Sequence, residues 1–290
     1  MTLKPMNELL VEIAGQAERA LLYEVALTPK PGLVDRNNSG AHSDMDFFTF
    51  MDSIVSLSPY LYQYVKLGIE HDGTAKELFQ KVRSMGVHAE KAMLAATKNV
   101  NTHKGANFSF AVLLGATGAC IGCGLQPPFT QNDTQAVLSY AQKMSHGLVT
   151  DDFADLAAKT SLTYGEKLFL SYGISGIRGE AEAGYPALGE LLLPFFRANH
   201  DRPTEVVLLE GLLLLMGAVE DGNIIHRGGI ESWQTVKSEA KKLLQASTED
   251  NLKELMYSYD LVLIERHLSP GGAADLLSLG IFFAKLENLF

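Results

Sequence analysis

LLVEIAGQAERALLYEVALTPKPG, residues 9 to 32, sets the fold class. Leu9, Ile13, Ala17, Leu21 and Val25 form an i, i+4 stripe, the period of a helix with one buried face. The helix should stop at Thr28, because the ring of Pro29 disfavours the helical conformation in the residue before it. The polar run that follows, TPKPGLVDRNNSGAHSDM (residues 28–45), is stiffened and shaped by Pro29, Pro31 and Gly32. Apolar, helix-like sequence resumes beyond it.

The helical period recurs almost to the C-terminus. Ser43 reads as the N-cap of a second helix to about Leu57, with Asp46 at the N3 position of a capping box. Thr74 and Glu77 make another box, opening a helix to about Lys98. Further helices are expected at about 105–121, 131–147, 151–164, 186–198, 204–220, 230–246, 249–265 and 272–288. VVLLEGLLLLMGAV (Val206 to Val219) is too short to span a bilayer and contains Glu210, so it reads as a buried core helix. No segment sustains a period of two between hairpin turns. The expectation is an all-α fold of about ten or more helices in a single compact domain over residues 1–290, with a polar pocket formed by the inter-helix loops.

The 290 residues are enough to bury a substantial core. Apolar residues at 47% and charged residues at 20% mark a globular chain. A net charge of −10 speaks against nucleic-acid binding, which needs a broad basic surface. A few cations focused in one pocket can still take a small polyanion. Glu8, Glu12 and Glu18 interrupt any apolar run at the N-terminus, which does not read as a signal peptide. No membrane association is expected. Cys120 and Cys123, a C-x-x-C without a second pair, read as small core residues on one helix face, and the compartment expected is the cytoplasm.

Five polar loops, near 28–43, 99–105, 173–185, 221–229 and 267–272, carry the candidate chemistry. In NTHKGANFSF (Asn101 to Phe110), Asn101 and Thr102 are capping residues ahead of an apolar helix. Free backbone N–H groups at a helix start attract anions, Gly105 lets a ligand approach, and Lys104 adds a charge. No G-x-x-x-x-G-K-[ST] occurs, which argues against Walker-type hydrolysis. In GIRGEAEAGYP (Gly176 to Pro186), Arg178 can grip phosphate, while Glu180 and Glu182 suit metal binding or general base work. The fourth loop groups Asp221, Asn223, His226 and Arg227. The fifth sets Ser269, Gly271 and Gly272 before a helix, with Asp275 in its first turn. In the opening loop Lys30 and Arg36 supply positive charge, and Asp35, Asp44 and Asp46 supply carboxylates of the kind Mg²⁺ takes alongside phosphates and water. Each loop alone has a bland reading as a capped helix start or a solvated turn. Together they fit a Mg-nucleotide better than an apolar ligand.

The five blocks, in this order from about residue 24 to residue 280, resemble the triphosphoribosyl-dephospho-CoA synthase family. The resemblance implies that the triphosphoribosyl group of ATP is transferred to the 2′-hydroxyl of 3′-dephospho-CoA, with release of adenine. The product would be the precursor of the citrate lyase prosthetic group, or of its malonate decarboxylase counterpart, and would pass to a transferase that modifies an acyl carrier protein. Under that reading Asp35, His42, Glu180 and Glu182 are the catalytic candidates. Lys30, Arg36, His103, Lys104, Gly105, Asn107, Arg178, Asn223, Arg227, Ser269, Gly271 and Gly272 are candidates for substrate and phosphate binding. Asp44, Glu180, Asp221 and Asp275 are candidates for Mg²⁺. Two rival readings are a Mg-dependent nucleotide N-glycosyl or ADP-ribosyl hydrolase, which would use water as acceptor, and a helical module that binds a CoA-like ligand without turnover. The sequence leaves the oligomeric state open.

Overall fold

The structure, a computed structural model, describes residues 5–154, 156 and 159–290. Its elements are helices throughout, with no strand among the described residues: α1 (Met6–Ala26), α2 (Phe47–Ile69), α3 (Ala75–Ala96), α4 (Lys104–Gly122), α5 (Gln131–Met144), α6 (Leu148–Phe153), α7 (Tyr164–Tyr172), α8 (Gly176–Ala183), a π-helical turn (Ala187–Leu192), α9 (Leu193–Asn199), α10 (Thr204–Met216), α11 (Gly222–Ala246), α12 (Leu252–Glu265) and α13 (Gly271–Leu286).

The centre is built from helices that are apolar all round. On α4, α10 and α13 nearly every residue after the first turn is buried, as expected of helices with no polar face. By length and composition α4 could cross a membrane, yet 83% of that span is buried inside the protein, as in a core helix. Around this centre α1 packs on α2 and α13, while α2 and α3 pack on α4. Small residues let α2 and α4 touch backbone to backbone. A Cβ at Gly68 would lie 2.1 Å from the carbonyl oxygen of Gly115, and one at Gly118 would lie 2.2 Å from that of Val65.

Several boundaries differ from the sequence expectation, each for a local reason. The second helix is capped by Asp46, not Ser43: the Asp46 carboxylate accepts from the Thr49 backbone at 2.9 Å, and Thr49 answers as the N3 residue. The expected 151–164 helix is replaced by α6 and the separate α7, and residues 155, 157 and 158 of that span lie outside the described residues. The expected loop 173–185 contains α8, delimited by left-handed Gly173 and Gly184. The expected loop 221–229 is the first part of α11, interrupted at Gly229, whose φ of 80° breaks the helical course. Cys120 is buried, but Cys123 caps the end of α4 and is exposed, so the two do not form one packed pair.

Candidate active site

A cavity of about 820 Å³ opens where four of the five polar loops meet α8. Five helices place their first residues in its wall: Lys104 and Gly105 of α4, Tyr164 and Gly165 of α7, Gly176 and Ile177 of α8, Gly222 and Asn223 of α11, and Gly271 and Gly272 of α13. Each helix start carries unpaired N–H groups and the positive end of a dipole, so the arrangement favours a multiply charged anion. Arg178 and Arg227 also belong to the wall.

The glycines are there because polar side chains press against them. A Cβ at Gly105 would lie 2.2 Å from Oδ2 of Asp275, one at Gly271 would lie 2.6 Å from Nδ2 of Asn223, and one at Gly272 would lie 3.1 Å from Oδ2 of Asp221. Asp221 bridges two helix starts, accepting from Asn223 N and Ile224 N at 2.9 and 3.2 Å and from Ala273 N at 3.0 Å. Asp275 is half-buried and accepts from the backbone of Ala106, which joins α13 to α4. Its carboxyl is held well above the usual range by burial, then by Glu24 and Asp221. Since the Asp275 carboxyl, held by the Ala106 backbone, must shift to admit a methyl group, Gly105→Ala is expected to cost about 1–3 kcal/mol of stability, an overpacking effect. Urea denaturation checks this, and an unchanged midpoint and slope would contradict the packing described.

Glu24, a wall residue absent from the sequence reading, is nearly buried and ion-paired to the equally buried Lys30. Burial pushes its carboxyl up, against the downward pull of Lys30. Its position was readable: it lies three residues after Leu21, on the buried face of α1. Glu190 and Glu220 are two further wall carboxylates outside the sequence candidates. They, after burial, help raise the carboxyl of Glu180, whose Oε2 accepts from Ala187 N at 3.3 Å.

The wall includes Lys30, His42, His103, Lys104, Gly105, Arg178, Glu180, Asn223, Arg227, Ser269, Gly271, Gly272 and Asp275 of the sequence candidates. Some are already engaged. His42 spans three loops: Arg227 Nη2 donates to its Nδ1 at 3.0 Å, and its Nε2 lies 2.9 Å from Ser269 Oγ. Burial and the Arg227 charge keep this imidazole below its ordinary pKa, so it holds the loops together rather than standing ready for a proton. Lys104 pairs with Glu90 at 2.6 Å. Asp152 accepts from Nε of Arg178 at 2.7 Å and orients that guanidinium.

Six candidates are not in the wall, and their contacts say why. Asp35 is a loop organiser: its two oxygens accept from Thr28 Oγ1 and from the backbones of Lys30, Asn37 and Asn38. Arg36 lies on the surface, 3.8 Å from Glu205. Asp44 is exposed beside His42. Asn107 is buried between Tyr64 and the carbonyl of Gly86. Glu182 accepts from Gly147 N and Val149 N at 2.8 and 3.0 Å, and so anchors the start of α6. Asp221, with both oxygens committed to backbone N–H groups, is a double helix cap rather than a metal ligand.

The family model described as CitG, ATP:dephospho-CoA triphosphoribosyl transferase, matches residues 11–290. A curated relative from Streptococcus mutans serotype c, named "probable 2-(5″-triphosphoribosyl)-3′-dephosphocoenzyme-A synthase", is 49% identical over 292 residues, covering 98% of this chain and 99% of its own. A protein of the same name from Streptococcus equi subsp. zooepidemicus is 47% identical over 288 residues, covering 96% of this chain and 97% of its own. A crystal structure from Archaeoglobus fulgidus, at 20% identity, covers 83% of this chain and 100% of that one with a TM-score of 0.49, too distant to add to the reading of the site. Matched over nearly its whole length and at close to half identity, the chain belongs to the ATP:dephospho-CoA triphosphoribosyl transferase family.

Proposed function

We propose that this protein transfers the 5-triphosphoribosyl group of ATP to the 2′-hydroxyl of 3′-dephospho-CoA and releases adenine. One structural observation carries the reading beyond family membership: five helix starts and two arginines share one cavity wall with several carboxylates. Such a wall holds a triphosphate and also offers acceptors for a hydroxyl proton.

The steps balance without a change of oxidation state. The C1–N9 bond of ATP breaks, its electron pair goes to the purine, and the ribose carbon becomes oxocarbenium-like. The 2′-oxygen bonds to C1 and loses its proton to a carboxylate, and adenine takes up a proton. Glu180 is the base in this scheme, because its raised proton affinity suits the task.

Mg²⁺ belongs to the proposal as the partner of the triphosphate. Among the described residues no group of three His, Cys, Asp or Glu is arranged to hold a metal unaided. That fits an ion taking one or two carboxylates and completing its shell with phosphate and water. Glu190 and Glu220 are the ligands proposed, wall carboxylates with hard oxygen donors that both act on Glu180. When bound, the ion would neutralise triphosphate charge. We place the reaction in the cytoplasm, in keeping with two unpaired thiols, and assign the product to a transferase acting on an acyl carrier protein, in the citrate lyase branch or its malonate decarboxylase counterpart.

Chromatography of protein with Mg²⁺, ATP and 3′-dephospho-CoA tests this reading. Free adenine that requires dephospho-CoA is the expected result. Adenine formed equally well without it would make the protein a hydrolase, and tight binding without turnover would make it a binding module.

A further inference from the structure

His103 lies in the cavity wall at the start of α4, buried, with one ring nitrogen engaged and the other not. Thr102 Oγ1 donates to Ser53 Oγ at 2.7 Å, and Ser53 Oγ lies 2.7 Å from His103 Nδ1. Ser53 is fully buried, and its hydroxyl already accepts from Thr102. With Thr102 as the donor in this chain, the Ser53 proton goes to Nδ1. Nδ1 is then an acceptor, and the imidazole proton sits on Nε2. That atom is buried and has no hydrogen-bond partner among the described residues. With Nδ1 turned to α2, Nε2 is the polar atom this residue has left for a ligand.

Proton uptake at His103 is opposed by its surroundings. Burial, and then the charge of Lys30, bring its pKa down to about 3. A neutral imidazole acts through a hydrogen bond rather than as a cation. The neighbourhood points the same way. Lys30 is committed to Glu24 and so brings no free positive charge to this part of the wall. The ring of Phe50 meets His103 edge-on at 4.9 Å, and Phe50, Leu33, Val34 and Met45 add apolar surface to the wall. A flat apolar surface beside one fixed N–H suits a purine.

We infer that His103 is a catalytic residue that stays neutral and donates its Nε2–H to a ring nitrogen, N3 or N7, of the departing adenine, with Ser53 and Thr102 as the positioning residues that fix this tautomer. The inference rests on the reaction proposed above. No proton is transferred by His103. As the C1–N9 bond breaks and its electron pair moves into the purine, the hydrogen bond strengthens and stabilises that charge.

Two measurements test it. The first compares ATP with 3-deaza-ATP and 7-deaza-ATP in wild type, His103→Gln and His103→Leu. In wild type one analogue should carry an extra penalty in kcat/KM of about tenfold, one hydrogen bond's worth. His103→Gln keeps an N–H donor and should retain much of that penalty, whereas His103→Leu should lose it while reacting slowly with both nucleotides. Equal penalties in wild type and His103→Leu would overturn the role. The second uses wild-type protein with nitrogen-15-labelled histidine, so it does not depend on a variant folding. NMR should show His103 as the neutral Nε2–H tautomer, with a signal that moves on adding ATP or adenine and stays put on adding inorganic triphosphate. An Nδ1–H tautomer, or the same movement with triphosphate alone, would overturn it. If wild type releases no adenine in the presence of dephospho-CoA, the proposed reaction itself fails. If it does release adenine and the deaza penalties do not change, only the role of His103 fails.

Discussion

Glu180→Gln is expected to lower kcat by about 10²–10⁴, the usual contribution of a positioned general base. ATP affinity should change little, because the lost interaction is made in the transition state. The expectation comes from three features of this carboxylate. It lines the cavity, it neighbours Glu190 and Glu220, and burial raises its proton affinity. Glu182, two residues on, supplies the control. Its oxygens accept from Gly147 N and Val149 N at the start of α6, and it is not part of the wall. Glu182→Gln should therefore lower stability while folded protein keeps its turnover number. Steady-state kinetics with calorimetric ATP binding separates the two. Full turnover in Glu180→Gln would take the base role away from this residue.

Lys30→Met is expected to destabilise the protein by about 3–5 kcal/mol, the range found when one member of a buried ion pair is removed. Both partners are nearly inaccessible, and Glu24 would be left beside Asp35 and Asp275 with no cation. The pH dependence follows from the sign of the shift. The Glu24 carboxyl already titrates above its ordinary value in the folded protein, and loss of Lys30 raises it further. A carboxyl with a raised folded pKa contributes stability at low pH that is lost as pH rises, because the folded state retains a proton that the unfolded chain releases. Lys30→Met should therefore be more destabilised, relative to wild type, at pH 8 than at about pH 5. Adding Glu24→Gln should recover much of the loss, since no charge is then left buried. Denaturant titrations at both pH values decide this. A loss that does not depend on pH would mean that Glu24 stays protonated even in wild type.

The helices were legible where apolar residues keep the period. Leu9 to Val25 gave α1, and the Thr74–Glu77 box gave the start of α3. They were not legible where glycine interrupts a helix that tertiary contacts still support. Gly176 and Gly179 made α8 read as a loop, and Gly228 and Gly229 did the same for the front of α11. The start of α7 was signalled by Thr163 and Glu166, a capping box hidden by the polar sequence before it.

The site was legible as a set of loops but not as individual roles. Asp35 and Glu182 look like catalytic carboxylates in a sequence, because nothing in the chain shows that backbone N–H groups fill their lone pairs. Glu190 lies in the π-helical turn and Glu220 in the connection between α10 and α11, and only the packing of these segments against the cavity brings the two carboxylates together with Glu180. Lys30 reads as a phosphate ligand in the sequence, because nothing there shows its pairing with Glu24 in the last turn of α1.

In the proposed reaction the triphosphate remains whole while the bond to adenine breaks. The most direct measurement uses ATP labelled in its γ-phosphate, incubated with the protein, Mg²⁺ and 3′-dephospho-CoA. The label is expected in a product containing dephospho-CoA, in step with free adenine and with little inorganic phosphate. Label released as inorganic phosphate, with ADP as the companion product, would contradict it.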